Sequence, residues 1–69
     1  MTEVDLQEIF SYHAPKGDQA ERYPKIRQAG FDLALVILDN CPDSRERSSA
    51  FTKIQEAVMF SNAAIAVHE

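Results

Sequence analysis

A chain of 69 residues with a single cysteine has few ways of holding itself together. Ordering a chain of this length costs on the order of 100 kcal/mol, at roughly 1.5 kcal/mol per residue, and one small core returns barely that much. Proteins of this size are therefore stapled by disulfides, by a metal or by association with other chains. Cys41 has no second cysteine to pair with, which excludes an intramolecular disulfide, and His13 and His68 have no cysteine at zinc-site spacing. Association remains, around a single domain spanning residues 1–69.

The opening MTEVDLQEIF has no basic n-region and no continuous apolar stretch, and no run approaches eighteen apolar residues. We therefore expect a soluble, intracellular protein with no membrane partner. Seven Lys and Arg against eleven Asp and Glu give a formal charge of −4, which argues against duplex nucleic acid, whose binding rests on clustered cations. A small anion in a locally basic pocket is still allowed.

Two punctuation marks divide the chain, His13-Ala14-Pro15-Lys16-Gly17 and Asn40-Cys41-Pro42-Asp43. The first segment, about 2–11, reads as a short helix capped by Thr2, with Val4, Leu6, Ile9 and Phe10 loosely on one side. The second, about 19–39, opens with Asp18 and Glu21 at capping-box spacing and places Tyr23, Ile26, Gly30, Leu33, Ile37 and Cys41 on one stripe, with Ala34 and Leu38 beside it. Pro24 implies that this helix either begins near Tyr23 after a loose turn or kinks there. The third, about 44–67, repeats the signature with Asp43 and Glu46 and carries Phe51, Ile54, Val58 and Ile65, with Ala50, Ala57 and Ala64 as small neighbours.

This pattern predicts an all-α fold, a short N-terminal helix followed by a long antiparallel helical hairpin. Phe31, Leu35 and Val36 on the second helix, and Met59, Phe60, Ala63 and Val67 on the third, exceed what one partner helix can cover, which marks association surfaces. The alternative is a three-helix monomer in which the first helix covers part of that surface. Asn62, among small and apolar residues, is either a surface amide or a buried one that sets register and oligomer.

Charge is unevenly spread: residues 11–30 alone are positive, with Lys16, Arg22, Lys25 and Arg27 against Asp18 and Glu21. Tyr12, His13 and Tyr23 lie among these cations. Rings that stack on bases beside cations that hold phosphates suit a nucleotide ligand, although a solvated helix face with ordinary ion pairs has the same composition. His13 sits where a histidine caps the preceding helix through its C-terminal dipole. No catalytic constellation and no metal cluster is apparent, and Cys41 reads as a small hydrophobe packed at the turn.

Several stretches together resemble a known family: Phe10-Ser11-Tyr12-His13-Ala14-Pro15-Lys16-Gly17-Asp18-Gln19, Glu21-Arg22-Tyr23 with Ile26-Arg27, Asn40-Cys41-Pro42-Asp43-Ser44-Arg45-Glu46, and Glu56-Ala57-Val58-Met59 with Asn62-Ala63-Ala64-Ile65-Ala66. They look like the small phage proteins that counter the bacterial CBASS immune system as sponges for cyclic oligonucleotide messengers. The resemblance implies a homo-oligomer, a hexamer, acting in the host cytoplasm without catalysis or cofactor and holding cyclic dinucleotides intact in pockets at subunit interfaces. By the same resemblance Tyr12 stacks on a base and Arg27 contacts phosphate, with Lys25 close enough to share that role and His13 in the same motif. Some members bind cyclic trinucleotides at a separate site through a basic residue near the C-terminus, where this chain has Val67. A helical module that binds a host protein through its apolar face is the alternative function.

Overall fold

Three helices and no strands make up the chain, α1 (Glu3–Phe10), α2 (Gln19–Asn40) and α3 (Arg45–His68), in a computed structural model that describes residues Met1–Glu69. Helix α1 starts as its sequence dictates. The Asp5 N–H donates to Thr2 Oγ1 at 3.2 Å and the Thr2 N–H donates to Asp5 Oδ2 at 2.9 Å, satisfying two first-turn donors reciprocally. Its other end is closed by side chains from the following loop: the Ser11 hydroxyl donates to the Gln7 carbonyl and His13 Nε2 to the Glu8 carbonyl.

The start of α2 differs from the capping box expected of Asp18 and Glu21. Asp18 has φ −90° and ψ 8°, already close to helical, and its side chain caps nothing. It turns instead to Arg22, whose Nε lies 3.1 Å from Asp18 Oδ1, while the Glu21 and Arg22 N–H groups both donate to the Asp18 carbonyl. Gly17, at φ 56°, supplies the left-handed step into this turn, which costs a glycine little. Pro24 neither delays the helix to Tyr23 nor ends it: α2 runs from Gln19 through Pro24 as one element. Pro24, the sixth residue of α2, has no N–H to give the Ala20 carbonyl, and the helix continues past it.

At the α2–α3 connection the cap falls on Ser44 and not on the expected Asp43. The Arg47 N–H donates to Ser44 Oγ at 3.1 Å, and the Arg47 guanidinium, half-buried over the Phe51 ring, donates to the Cys41 carbonyl and pairs with Asp43 at 3.4 Å. One arginine thus ties both sides of the turn. Cys41 itself is exposed, not packed as a hydrophobe, because the turn is closed over its carbonyl and leaves its thiol outside.

The two long helices pack as a hairpin, with Tyr23, Ile26, Gly30, Ala34 and Ile37 half-buried against Phe51, Ile54, Val58 and Ile65. Ala34 takes the inner position expected of Leu33, which is 51% exposed, and Cys41 lies off the seam. Gly30 explains the choice. A Cβ there would stand 2.6 Å from Val58 Cγ2 and 3.5 Å from Ile54 Cγ2, so the helices approach closely at Gly30, and the small half-buried Ala34 lies one turn on. Asn62 is half-buried on the same face of α3, between Val58 and Ile65, and its Oδ1 is shielded without a hydrogen-bond donor.

What this hairpin does not do is bury a core. Gln19, at 3% exposure, is the only buried residue, and no apolar side chain is buried. The accessible surface is 5452 Å², against about 4,400 Å² for a folded monomer of this mass. The radius of gyration is 15.2 Å, against roughly 11 Å for a compact chain of this length. With extents of 44 × 28 × 12 Å, the molecule is a slab too thin for the second layer of elements that ordinarily completes a core. Helix α1 does not supply that layer, since every residue from Met1 to Phe10 is exposed.

Candidate ligand site

The segment between α1 and α2 carries the aromatic half of the candidate site. Tyr12 follows the extended Ser11 that ends α1 and is 88% exposed, an open ring. Next to it, the half-buried His13 is held by its bond to the Glu8 carbonyl, which anchors the loop to α1 and fixes where Tyr12 leaves it. The histidine thus plays the capping role its position suggests.

The four cations of residues 11–30 divide into two pairs. Lys16 and Arg22 are occupied: Arg22 NH1 and NH2 donate to the two carboxylate oxygens of Glu69, the NH1 contact at 3.1 Å, and Lys16 Nζ donates to the Glu69 carbonyl. Lys25 and Arg27 are exposed on α2 and belong to no ion pair. Being two residues apart, they project about 200° apart around the helix. A ligand lying on one side of α2 therefore meets one of them from a given chain and not both.

None of the grooves on the chain is lined by Tyr12, His13, Lys25 or Arg27. An apolar groove of about 370 Å³ over Gly30 between α2 and α3 is lined mainly by Ile26, Ala29, Leu33, Ile54, Ala57 and Val58, with Lys53 and Ser61 as its polar residues. It offers no set of polar groups able to orient a nucleotide. No group of three or more His, Cys, Asp or Glu side chains could hold a metal ion, and no helix is long and apolar enough to cross a membrane.

Sequence reasoning missed the cluster of Lys16, Gln19, Arg22 and Glu69. Glu69 lies 47 residues from Arg22, so no local spacing connects them; the one available signal was an isolated acid at the far end of a helix matched in length to its partner. The Arg22 hydrogen bond, with lesser help from Gln19, holds the Glu69 carboxyl below its ordinary value, and the same contact raises the pKa of Arg22. Asp5 is likewise held low, by the Thr2 backbone and hydroxyl. Both carboxylates thus contribute stability that is present above the unfolded carboxylate range of about 4 and is lost as pH falls through the lower folded values. Carbon-detected NMR titration is expected to place the Glu69 midpoint below about 4.3, the unperturbed glutamate value. An unaltered Glu69 midpoint in the Arg22→Gln variant would show that Arg22 is not the cause.

These features define a class before they define a family: an all-α helical hairpin, coreless as a single chain, that carries an exposed tyrosine and unpaired cations. The hairpin domain of Acb2/Tad1 matches residues 2–66, nearly the whole chain, and the protein belongs to that family of anti-CBASS cyclic-oligonucleotide sponges. No curated protein and no solved structure matches it.

Proposed function

We propose that this protein binds cyclic dinucleotides, holds them without cleaving them and so keeps them from activating CBASS effectors in the cytoplasm of an infected bacterium. The observation that carries this reading is the exposed Tyr12 ring together with the unpaired Lys25 and Arg27, in a chain that belongs to a family of cyclic-oligonucleotide sponges. Tyr12 supplies a stacking platform for a base and Arg27 a planar two-pronged phosphate contact, with Lys25 as its neighbour on the other side of α2 and His13 holding the loop. Sequestration needs no catalytic group.

The pocket is completed by other copies of the chain. A cyclic dinucleotide has two bases and two phosphates, and a two-fold interface duplicates one tyrosine and one cation into the set it requires. The surface left open supports the same assembly, a homohexamer in this reading: Phe31, Leu35, Val36, Met59 and Phe60 are all exposed on a slab lacking a second layer. Cyclic trinucleotide binding through a basic residue near the C-terminus has no counterpart at Val67.

Calorimetric titration with cyclic dinucleotides, paired with light scattering, tests both parts. Heat of binding, a mass several times 7.8 kDa and recovery of intact ligand after heat denaturation are expected. Absence of heat would sink the sponge reading, and linear nucleotide products would point to an enzyme. A monomeric mass would turn the exposed apolar residues toward a host protein, the interaction-module reading.

A further inference from the structure

We infer that Arg22, Lys16 and Gln19, where α2 begins, form an anion site whose built-in occupant is the Glu69 carboxylate, and that a phosphoryl group takes this site when Glu69 leaves it. The inference does not depend on which nucleotide the protein binds, because it concerns cations that the proposed ligand contacts do not use.

The site is built, not incidental. Gln19 is the one buried residue in a chain that otherwise buries nothing, and its Oε1 accepts the Lys16 N–H at 3.0 Å, which fixes the Lys16 backbone against the start of α2. Arg22 presents NH1 and NH2 to the two oxygens of a single carboxylate, the fork geometry that arginine offers to carboxylate and phosphate alike. Lys16 Nζ lies beside this pair and donates to the Glu69 main-chain carbonyl.

A carboxylate leaves this site incompletely used. Arg22 Nε is shielded from solvent and already taken up by Asp18, whose Oδ1 lies 3.1 Å away, so the donors open to a ligand are the Arg22 NH1–NH2 fork and Lys16 Nζ. Glu69 has no side-chain oxygen left for Lys16, since both already face NH1 and NH2, and Lys16 takes the Glu69 main-chain carbonyl instead. A phosphoryl group carries a third oxygen and more charge, and so matches the donor set better than the occupant does. Glu69 acts as a strap. While it is in place, it closes the open end of the hairpin, engages Lys16 and Arg22, and leaves Lys25 and Arg27 as the available cations of the stretch.

Inorganic pyrophosphate is the probe, titrated into the full chain and into Glu69→Gln while the Arg22 Nε–H resonance is followed by NMR. Glu69→Gln is expected to bind at least about ten-fold more tightly than wild type, the scale of one charge-assisted hydrogen bond regained. Adding Arg22→Gln is expected to abolish that gain. Equal affinity in wild type and Glu69→Gln, or a gain that survives Arg22→Gln, would overturn the proposal. Wild type provides a second readout that needs no variant to fold: saturating pyrophosphate should move the Glu69 carboxyl carbon signal together with Arg22 Nε. A shift at Arg22 with Glu69 unmoved would show that the carboxylate is not displaced. Cyclic dinucleotide affinity, measured separately, decides the sponge reading and leaves this result untouched.

Discussion

Tyr12→Ala lowers affinity for a cyclic dinucleotide by roughly 30-fold or more, because stacking on an aromatic ring is worth about 1–3 kcal/mol per base and a two-fold pocket loses two rings at once. The fold should not change. Tyr12 is 88% exposed and holds no other element in place, so helix content and assembly mass stay those of the wild type. Tyr12→Phe keeps the platform and most of the affinity. Arg27→Ala is expected to weaken binding as well, with a steeper loss at low salt, where a phosphate contact matters most. Calorimetry across these variants reads the effect directly. If Tyr12→Ala bound as tightly as wild type, the site assignment would fail while sequestration itself could still stand.

Gly30→Val separates the hairpin, with an expected loss of about 3 kcal/mol, the upper part of the usual range for forcing volume into a packed seam. Even the first carbon of a new side chain would stand 2.6 Å from Val58 Cγ2. Val58 cannot swing that methyl away cheaply, since a β-branched residue in a helix has one strongly preferred rotamer. The helices must therefore move apart, loosening Ile54 and Val58 together. Gly30→Ala is the finer test, because alanine gains about 1 kcal/mol of helix propensity that opposes the clash. We expect the clash to win, and Val58→Ala to restore much of what Gly30→Ala loses. Denaturant unfolding of the two single variants and the double variant measures that coupling. A higher midpoint for Gly30→Ala alone would show that the seam has slack.

Much of the helical pattern was legible because it is local. Thr2 and Asp5, three residues apart, satisfy each other's neighbourhood whatever the rest of the chain does. The same logic misplaced the caps of α2 and α3, where a second arginine-centred interaction competed. Asp18 turned to Arg22, and Asp43 to Arg47, so the cap at α3 passed to Ser44 and α2 was left without a side-chain cap. A cap motif predicts which bonds are possible, and a nearby guanidinium decides which are made. The seam was legible in its period but not in its centre. Leu33 and Ala34 stand about 100° apart around the helix and both border the stripe, and the close approach at Gly30 favours the smaller residue on the inside.

The candidate site was legible as composition, an aromatic and basic stretch within an acidic chain, and its motifs resembled a family whose hairpin domain matches residues 2–66. That Lys16 and Arg22 are spoken for while Lys25 and Arg27 are free could not be read from that stretch.

Amino-acid order alone determined three helices, their apolar stripes and the positive stretch at residues 11–30, because helix periodicity, capping at α1 and charge content depend on neighbours a few residues apart. Tertiary structure decided the partition of the cations, the contact at Gly30 and the absence of a core. Each of these depends on how α2 and α3 lie against each other, and a register that sets Glu69 beside Arg22 across 47 residues is a property of the packed hairpin and of no segment within it.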